Sequence, residues 1–363
     1  MEISLKQIAD VVSSKIENGY EQIKIDHIEF DSRRVTKGSL FVPLQGKQDG
    51  HNFINNAAEN GAVATLVEKG HSTDNLKIPF LVVENVQNAI LKLAEFCLQT
   101  IHPKVVAVTG SNGKTTTKDL IYSVLSKKYV SWRTKDNYNN EIGIPYTIIA
   151  MPEDTQVLII EIGIDGFNQM EAMSKLVKPD LAVITMIGEA HIEFFRTRQA
   201  IALEKLKIAK YINSEGSLII NGDEPLLIKN KNDLNTNIET FGKSRKCDIY
   251  PFDIKTSIDN SSYHSNLTGN ETINIPLIGE YNVINSLAAI LVAKKLKLND
   301  LEIKAGLQDL KLTKNRAEWV QGVKGEKILD DAYNSNPTAL KVILNVFRNL
   351  KTSDNEKKNS SFG

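Results

Sequence analysis

The sequence predicts an α/β protein whose central part is a mostly parallel sheet with helices on both faces. From residue 105 onward, short apolar runs alternate with segments of helix length; the runs are Val105–Thr109, Val157–Glu161, Leu181–Thr185 and Ser217–Asn221. Strands that alternate with helices are typical of parallel sheets. Hydrophobic residues make up 41% of the chain and charged residues 24%, which is the balance of a globular protein rather than a disordered one.

Length, charge and cysteine content limit the class further. At roughly 100–200 residues per domain, the 363 residues predict two or three domains. The 44 Lys and Arg residues equal the 44 Asp and Glu residues, which argues against a protein that holds nucleic acid by bulk positive charge. Cys97 and Cys247 are too few for a disulfide framework and predict reduced thiols. The sequence shows neither a signal-peptide pattern nor an apolar run of membrane-spanning length, so we predict a cytoplasmic protein.

Changes in the pattern predict three domains. The chain opens with apolar residues at helical spacing (positions 5, 8, 9 and 12) and continues as a small α/β unit until His102-Pro103 breaks it. The alternating strands and helices follow, with a polar, β-rich excursion near 245–275 and two later helices. Near Asn315 the pattern changes to short strands and one more helix, and residues 351–363 are polar and unpatterned. We therefore predict domains at 1–101, 102–314 and 315–363.

The sharpest local signal is a glycine-rich turn between a predicted strand and a predicted helix. Residues 105–117 read VVAVTGSNGKTTT, with Gly110–Gly113 as the turn. Glycines let backbone N–H groups point inward, and a helix N-terminus adds positive potential for a polyphosphate. Lys114 would then reach the β- and γ-phosphates of a nucleotide, and the Thr115 hydroxyl would ligate Mg²⁺. Val108 stands where the usual pattern has its first glycine, so Gly110 makes the turn; the alternative is a surface turn that happens to contain GKT.

Two further side chains follow later strands of the same predicted sheet. Glu161 ends one apolar run, and His191 follows the next. Ligands bind at the carboxyl ends of the strands in such sheets, so we expect both side chains at the edge that carries the phosphate loop. A carboxylate there suits a cation that bridges ATP phosphates, and the imidazole could complete a second cation site. Taken singly, each has an ordinary alternative: a solvated strand end for Glu161 and a structural histidine for His191.

Several other charged residues near this region are interpreted as ordinary surface residues. Lys205 lies in a helical segment downstream of His191, and from the residues alone we interpret it as a solvated lysine on a helix face. The same interpretation, a surface charge, applies to Glu189, Glu193 and Glu204.

Two polar clusters complete the set of candidate sites. Residues 137–145 (NYNNEIGIP) form an amide-rich loop before a proline-capped helix. Amides suit recognition of sugar, lactyl or peptide oxygens, and the alternative is an asparagine-rich turn. Near the start of the third region, Arg316 could contact phosphate and Asp331 could accept hydrogen bonds from a ribose.

These motifs, in this order, resemble the Mur ligase family, the ATP-dependent amide-forming enzymes of peptidoglycan precursor synthesis. The phosphate loop by itself fits many nucleotide enzymes, whereas NYNNEIGIP together with IGEAHIEF is far more specific. The segments that carry the resemblance extend from the N-terminus to about Leu350: FDSR (30–33), GKQDGHNFI (46–54), TGSNGKTT (109–116), NYNNEIGIP (137–145), IGEAHIEF (187–194), NGDEP (221–225), GEYNVIN (279–285) and DAYNSNP (331–337).

The resemblance implies an N-terminal UDP-binding domain, a central P-loop ATPase and a C-terminal Rossmann-like domain, and it implies roles for matching positions. The residues implied to bind the UDP and muramoyl-peptide parts of the substrate are Ser32, Arg33, Asn139 and Asn140. Those implied to bind the nucleotide are Gly110, Asn112, Gly113, Lys114, Thr115, Thr116, Asn282, Asn285, Arg316 and Asp331. The implied metal ligands are Thr115, Glu161, His191 and, once carbamylated by CO₂, Lys205. The implied catalytic residues are Lys114, Lys205 and His191.

The implied activity is an ATP-dependent ligase that joins D-alanyl-D-alanine to UDP-N-acetylmuramoyl-tripeptide. Its cofactors would be ATP and Mg²⁺. We also expect the chain to be a monomer, to bind no nucleic acid and to have no membrane span. The tripeptide carboxylate would take the γ-phosphate of ATP, and the amine of D-alanyl-D-alanine would displace phosphate from the resulting acyl phosphate. Three alternatives stay open: the sibling ligase that adds the third amino acid, folylpolyglutamate synthase, and an inactive remnant that only binds nucleotide or UDP-sugar. Lysine and diaminopimelate at the third peptide position are not distinguished.

The chain departs from the family pattern at three places. Tyr281 stands where histidine is common before Asn282, and Lys207 stands where an acidic residue often follows the modified lysine. After Leu350 the family continues with a hydrophobic strand, whereas residues 351–363 of this chain are polar and unpatterned. Because such a domain needs roughly 100–150 residues to bury its own core, we expect residues 315–363 to be a truncated domain and ligation by this chain to be weak.

Overall fold

The computed structural model describes residues 3–269, 271–313, 318–323 and 325–330, and residues 340, 341, 344, 345 and 348. The chain divides into two compact units. The first contains Met1–Pro103 and Asn137–Gln156, and the second contains Lys104–Asp136 and the chain from Val157 onward. The three-domain division stays a prediction. The structure adds that residues 137–156, which the sequence pattern placed within 102–314, pack with the N-terminal unit.

The strands and helices of the described residues are numbered in chain order. The strands are β1 (Ile3–Ser4), β2 (Lys24–Ile25), β3 (His27–Glu29), β4 (Ser39–Phe41), β5 (Ala62–Glu68), β6 (Phe80–Val83), β7 (Lys104–Thr109), β8 (Ser131–Arg133), β9 (Val157–Glu161), β10 (Leu181–Ile184), β11 (Ser217–Asn221), β12 (Asn237–Phe241), β13 (Pro251–Thr256), β14 (Ser261–Ser265), β15 (Ile273–Ile275), β16 (Glu318–Gln321) and β17 (Lys327–Asp330). The α-helices are α1 (Leu5–Val12), α2 (Ile54–Glu59), α3 (Val86–Ile101), α4 (Lys114–Leu125), α5 (Gly143–Ile149), α6 (Gln169–Val177), α7 (Ile192–Phe195), α8 (Arg198–Leu206), α9 (Pro225–Asn230), α10 (Glu280–Lys295) and α11 (Asp300–Gln308). Short 3₁₀ helices span Gly50–Phe53, Lys207–Tyr211 and Lys231–Asp233.

The first unit is built on a four-stranded parallel sheet in the order β3-β4-β5-β6. Helix α1 begins with a capping box, in which the Ser4 hydroxyl accepts the Gln7 backbone N–H and the Gln7 side chain accepts the Ser4 backbone N–H. Its apolar residues at 5, 8, 9 and 12 are all buried, as their helical spacing predicts.

The segment 137–156 contributes α5 and an aromatic contact to this unit. The Phe30 and Tyr146 rings lie 5.1 Å apart, and Tyr138 meets Tyr146 edge-on at 5.4 Å. Arg34 Nη1 donates a hydrogen bond to the Tyr138 hydroxyl at 3.1 Å. The segment therefore joins the N-terminal unit through side chains near the FDSR motif, although it is separated from that motif by about a hundred residues of sequence.

A cluster of two histidines and one carboxylate connects the loop after β5 to the segment before α2. Asp49 faces His51 Nδ1 at 2.7 Å and His71 Nε2 at 2.9 Å, and the two rings stack 3.6 Å apart. His51 Nε2 accepts the Glu68 backbone N–H (2.9 Å), and His71 Nδ1 faces the Glu68 carbonyl (3.1 Å). Within the described part of the chain, this is the group whose spacing would suit a metal ion. Both nitrogens of His51 already take part in hydrogen bonds, so hydrogen bonding accounts for the cluster without a metal.

Both nitrogens of His71 face acceptors, an arrangement that favours the protonated ring. The hydrogen bond with Asp49 raises the pKa of His71 above its usual value, and hydrogen bonds from His51 lower the pKa of Asp49 to about 2. A histidine whose pKa rises on folding stabilises the protein below its unfolded pKa, and this contribution is lost as the pH rises through the folded pKa. The contribution is at most about 1 kcal/mol because both side chains are partly exposed.

We therefore expect His71→Asn to lower the thermal unfolding midpoint more at about pH 5.5 than at about pH 8.5. Thermal unfolding at the two pH values, followed by circular dichroism, measures the difference. The matched control is His102→Asn, at an exposed helix end in the left-handed conformation that asparagine also accepts. An equal loss from His71→Asn at both pH values would contradict the protonated pair.

The second unit contains the predicted parallel sheet. Its six strands have the order β12-β11-β10-β7-β9-β8, and every neighbouring pair is parallel. The fold class is confirmed: β7, β9 and β10 are nearly continuous buried apolar runs, as strands covered on both faces must be. Helices α4, α10 and α11 pack in one core with apolar residues of the sheet.

Two edge strands of this sheet were not predicted. Strand β8 has three residues, all partly buried, and β12 mixes polar and apolar residues. The β-rich excursion near 245–275 is a three-stranded antiparallel sheet, β13-β14-β15, and β16 pairs antiparallel with β17. Most of the predicted helix at 337–350 lies outside the described residues. Across the described residues, every helix is too short or too polar to traverse a lipid bilayer.

Candidate functional site

The phosphate loop lies between β7 and α4, and two glycines give it its shape. Gly110 has φ +148°, and a Cβ at this position would lie 1.9 Å from Thr185 Oγ1. Gly113 precedes α4 with φ +80°, in the left-handed region, and a Cβ there would lie 3.0 Å from Asn285 Oδ1. Gly110 must be glycine because the loop passes close to Thr185 at the end of β10. Gly113 must be glycine because of its left-handed backbone conformation.

The end of β10 supports the loop from the side. Thr185 Oγ1 donates to the Asn112 carbonyl at 2.5 Å, and the Ser111 N–H donates to the Met186 carbonyl at 2.9 Å. These bonds stabilise this conformation of the loop backbone. Such preorganisation suits a loop that binds phosphate with its N–H groups.

Lys114 and Thr115 stand at the first turn of α4. Lys114 Nζ donates to the Gly110 carbonyl at 3.0 Å and lies 3.4 Å from the Ser111 carbonyl, so the ammonium lies over the loop. The buried Thr115 hydroxyl donates to Glu161 Oε1 at 3.2 Å. Strand β9, which ends at Glu161, is the direct neighbour of β7. The structure thus brings Glu161 to the phosphate-loop edge, as expected for parallel strands that end together.

His191 follows β10, the other neighbour of β7, and precedes α7 with φ +61°. His191 is an exposed residue. Partial desolvation of the ring, and then the positive charges of Lys114 and Lys205, lower the pKa of His191 below its usual value. The three side chains therefore share one electrostatic environment. The neutral imidazole, favoured by the lowered pKa, is the form that binds a metal ion.

The interpretation of Lys205 as a solvated lysine is wrong. The residue is 4% exposed on α8, and burial, followed by the charge of Lys114, holds its pKa well below the usual value. The sequence carries a signal for this burial: Ile201 and Ala202 stand four and three residues earlier, on the same helix face, and both are buried. Glu204, also interpreted as a surface charge, is buried as well at 2% exposure.

Lys207, which stands where the family often has an acidic residue, is paired with a buried carboxylate. Lys207 Nζ forms an ion pair with Glu204 Oε2 at 2.7 Å and donates to Asn168 Oδ1 at 2.9 Å. The buried carboxylate of Glu204 therefore compensates the extra cation. Glu204 also raises the pKa of Lys205, against the larger effect of burial.

The two asparagines of α10 that are implied to bind the nucleotide have different surroundings. Asn282 is buried, and its Nδ2 donates to the Ile278 carbonyl at 2.9 Å, which stabilises the start of α10. Asn285 lies against Gly113 of the phosphate loop. Arg316 and Asp331 lie outside the described residues. Asn112 and Thr116 belong to the loop and to α4, and their nucleotide role stays a prediction.

The four substrate residues belong to the first unit. Arg33 pairs with Asp31 through Nε (2.8 Å) and Nη2 (2.7 Å), and its side chain is 85% exposed. Ser32 is buried, and its carbonyl accepts Asn60 Nδ2 at 2.9 Å. Asn140 Oδ1 accepts the backbone N–H of Gly143 at 2.9 Å, so its side chain stabilises the start of α5. The Asn139 backbone N–H donates to the Asn137 carbonyl. Their roles in substrate binding stay predictions.

One hydrogen-bond network near the site was not predicted from the sequence. Lys118 on α4 is fully buried and donates to the Thr134 carbonyl at 3.0 Å. The Thr134 hydroxyl accepts the Glu161 backbone N–H at 3.1 Å. Arg133 Nη1 donates to Asp119 Oδ1 at 2.7 Å. Thr-Lys-Asp in a helix carries no periodic signal of burial, so only the packing reveals this network.

The oxygen donors at the phosphate-loop edge fit a hard divalent cation. Ligands of Mg²⁺ at about 2.1 Å in octahedral geometry lie about 3 Å from one another. Thr115 Oγ1 and Glu161 Oε1, 3.2 Å apart, match that spacing. Lys114 over the loop supplies the positive charge that a triphosphate requires.

Two family models match the chain. The Mur ligase middle domain matches residues 108–293, and the model described as the Mur ligase family, catalytic domain, matches residues 24–108. The first match contains the phosphate loop, Glu161, His191, Lys205 and the two asparagines of α10. The second contains the FDSR motif and Asp49.

Relatives with assigned names are similar over nearly the whole chain. The chain is 36% identical to UDP-N-acetylmuramoyl-tripeptide--D-alanyl-D-alanine ligase of Bacillus subtilis (strain 168) over 351 residues, covering 96% of this chain and 76% of that protein. It is 31% identical to the Haemophilus influenzae protein of the same name, again covering 96% and 76%.

Solved structures of similar proteins share the fold. MurF from Acinetobacter baumannii superposes with a TM-score of 0.87 at 28% identity, covering 97% of this chain and 77% of that one. MurF ligase from Thermotoga maritima in complex with ADP gives a TM-score of 0.78 at 29% identity, covering 89% and 74%. A folylpolyglutamate synthase of L. casei, at 17% identity and a TM-score of 0.55, shares the fold alone.

Proposed function

We propose that this chain, which belongs to the Mur ligase family, is an ATP-dependent ligase that joins D-alanyl-D-alanine to UDP-N-acetylmuramoyl-tripeptide. One observation carries the proposal: a phosphate loop with Lys114 and a pair of oxygen donors share one edge of the parallel sheet, and the charge of Lys114 acts on the buried Lys205. The names of the relatives at 36% and 31% identity support D-alanyl-D-alanine as the acceptor. The first unit is the proposed site of the UDP-linked substrate.

The phosphate loop performs the first half of the proposed reaction. The backbone N–H groups of the loop and the N-terminus of α4 bind the phosphates, and Lys114 places its charge on the β- and γ-phosphates. Thr115 and Glu161 are the proposed Mg²⁺ ligands, with His191 at a second cation position. When bound, Mg²⁺ would neutralise charge on the phosphate oxygens. A carboxylate oxygen of the tripeptide attacks the γ-phosphorus, the bond to ADP breaks, and an acyl phosphate forms.

The second half is acyl transfer. The amine of D-alanyl-D-alanine attacks the acyl carbon, phosphate leaves with the bonding electrons, and the nitrogen loses a proton. The described site offers positive charge and backbone donors, which stabilise the oxygens of a tetrahedral intermediate. Ser32, Arg33, Asn139 and Asn140 are the proposed contacts to the UDP and muramoyl-peptide parts. We place the reaction in the cytoplasm, where ATP is available, and we propose a monomer.

Lys205 is the proposed site of carbamylation. A buried lysine with a lowered pKa has a larger neutral fraction, and the neutral amine is the form that adds to CO₂ with loss of a proton. The product is an anion in place of a cation. It would turn a buried positive charge beside Lys114 into a carboxylate-like ligand close to the phosphate site.

The acceptor assay tests the proposed function. The purified chain is incubated with Mg²⁺, ATP and UDP-N-acetylmuramoyl-tripeptide, and released phosphate is measured with and without D-alanyl-D-alanine. We expect release to depend on both substrates and to exceed the release with UDP-N-acetylmuramoyl-dipeptide plus lysine or diaminopimelate, or with a folate plus glutamate. The comparison is made within one preparation, so it holds even for a slow enzyme. Tripeptides with lysine and with diaminopimelate are tested side by side.

Binding measurements complete the assay. Isothermal titration with ADP and with UDP-N-acetylmuramoyl-tripeptide shows whether the protein binds each molecule. Binding of both without phosphate release for any acceptor would contradict the ligase and favour a non-catalytic binding protein. Release that follows a single amino acid would favour the sibling ligase or the folate enzyme.

A further inference from the structure

A fully buried lysine stands one helical turn beyond the phosphate-loop lysine. Lys118 lies on α4, four residues after Lys114, and its side chain has no solvent exposure. Moving an ammonium out of water is unfavourable unless oxygens replace the lost hydration. An apolar side chain would fill the same space without that cost, so the charge itself calls for an explanation.

Three oxygens from three parts of the second unit surround the ammonium. Lys118 Nζ donates to the Thr134 carbonyl at 3.0 Å, lies 3.4 Å from Asp119 Oδ1, and lies 3.8 Å from Glu161 Oε2. Thr134 follows β8, Asp119 belongs to α4 and Glu161 ends β9. The lysine therefore bridges the phosphate-loop helix to the strand end that carries the proposed metal ligand.

Asp119 does not account for the lysine. Its Oδ1 accepts Arg133 Nη1 at 2.7 Å, and its Oδ2 accepts the Thr313 backbone N–H at 2.7 Å. Both donors are closer than Lys118, so Asp119 has hydrogen bonds without it. What distinguishes Lys118 is its position beside Glu161 and Thr134.

Two side chains flank the Glu161 carboxylate, one through a hydrogen bond and one through charge alone. Oε1 accepts the Thr115 hydroxyl at 3.2 Å, and Oε2 lies 3.8 Å from the Lys118 ammonium, close enough for an ion pair but too far for a hydrogen bond. The Glu161 backbone N–H donates to the Thr134 hydroxyl. A carboxylate on a two-carbon side chain has several accessible rotamers, and a fixed cation on one oxygen limits the direction of the other.

We propose that Lys118 is a positioning residue that directs Glu161 Oε1 toward Thr115 and toward the metal bound with the nucleotide. Lys118 reaches neither substrate nor phosphate and acts through Glu161. The inference rests on the proposed function, since it assumes that Thr115 and Glu161 bind Mg²⁺. It differs from a simple role in charge balance, because removal of a balancing cation would strengthen cation binding, whereas removal of a positioning group would weaken it.

The test measures ADP binding by isothermal titration, once with Mg²⁺ and once with EDTA. For Lys118→Met we expect at least a tenfold loss of affinity with Mg²⁺ and less than a twofold change in EDTA. The matched control is Lys127→Met, just beyond the end of α4, where the lysine pairs with Asp309 on the surface; it should change neither value. A purely structural role for Lys118 would lower both affinities alike, and a charge-balance role would raise the affinity with Mg²⁺; either result would overturn the proposal.

A double-mutant cycle with Glu161→Gln identifies the partner. If Lys118 acts through Glu161, adding Lys118→Met to Glu161→Gln should cost less than twofold further in Mg²⁺-dependent affinity, whereas additive losses would refute the coupling. Lys118→Gln, which keeps a donor for the Thr134 carbonyl, is measured in parallel in case the methionine variant does not fold, and we expect the same selective loss.

If the unaltered protein binds ADP equally well with Mg²⁺ and with EDTA, the metal site of the proposed function fails as well. If the unaltered protein binds ADP more tightly with Mg²⁺ but the Lys118 variants lose no affinity, the proposed function is retained and the positioning role of Lys118 is refuted.

Discussion

Replacing Lys114 with alanine is expected to weaken nucleotide binding by about a hundredfold. The ammonium now donates to two carbonyl groups of the phosphate loop and lies where the β- and γ-phosphates are proposed to bind. A hydrogen bond to a charged group contributes about 1.5–3 kcal/mol, and each 1.4 kcal/mol changes affinity about tenfold. Titration of the protein with ADP and with a non-hydrolysable ATP analogue measures the effect, which should be larger for the analogue because it carries the γ-phosphate.

Lys128→Ala is the matched control for this variant. Lys128 follows α4 and donates to the Lys297 carbonyl at 2.6 Å, on an exposed part of the second unit. Its removal should leave nucleotide affinity within about twofold, since exposed charges interact weakly with distant ligands. If the two alanine variants bind ADP and the analogue equally well, the loop does not hold phosphate with Lys114.

Replacing Lys205 with methionine is expected to make the protein more stable and to abolish ligation. Lys205 is 4% exposed, and within the described part of the chain its ammonium has neither a hydrogen bond nor an ion pair. Methionine has a similar length and no charge, so the variant should gain about 1–3 kcal/mol in the free energy of unfolding. The same change removes the amine that the proposed carbamate requires. Denaturant unfolding in CO₂-depleted buffer gives the stability, and phosphate release gives the activity.

Lys207→Met provides a control with the opposite sign. Lys207 pairs with the buried Glu204, and its loss would leave that carboxylate buried without its cation. We expect this variant to lose roughly 1–3 kcal/mol of stability. Equal destabilisation by both methionine variants would show that Lys205 contributes to the fold rather than opposing it, and an active Lys205→Met variant would exclude the carbamate from the reaction.

The parallel core could be predicted from sequence because its central strands are buried on both faces. Strands β7, β9 and β10 appear as continuous apolar runs, and their order along the chain with helices between them allows few topologies. Strands β8 and β12 were not predicted, for the opposite reason. They form the two edges of the sheet, where partial exposure removes the apolar signal.

The main error in the prediction of the site concerned helix α8, where two charged residues interpreted as exposed are buried. Lys205 and Glu204 are neighbours in sequence and point about 100° apart around an ideal helix, yet both are buried. Helix α8 is therefore covered over a wider arc than its composition indicates. The residue types argued against such burial, since lysine and glutamate are rarely enclosed. For Lys205, the spacing from Ile201 and Ala202 is the one signal that indicated the covered helix face.

The sequence by itself determined the parallel α/β architecture and the phosphate loop, together with the edge of the sheet at which Gly110, Glu161 and His191 stand. These follow from local rules: apolar periodicity sets the strands, parallel strands end together, and glycine permits the loop. Only the tertiary structure decided that Lys118 and Lys205 are buried and that residues 137–156 pack with the N-terminal unit. The physical reason is that burial and charge pairing depend on contacts between segments far apart in the chain, which no local pattern specifies.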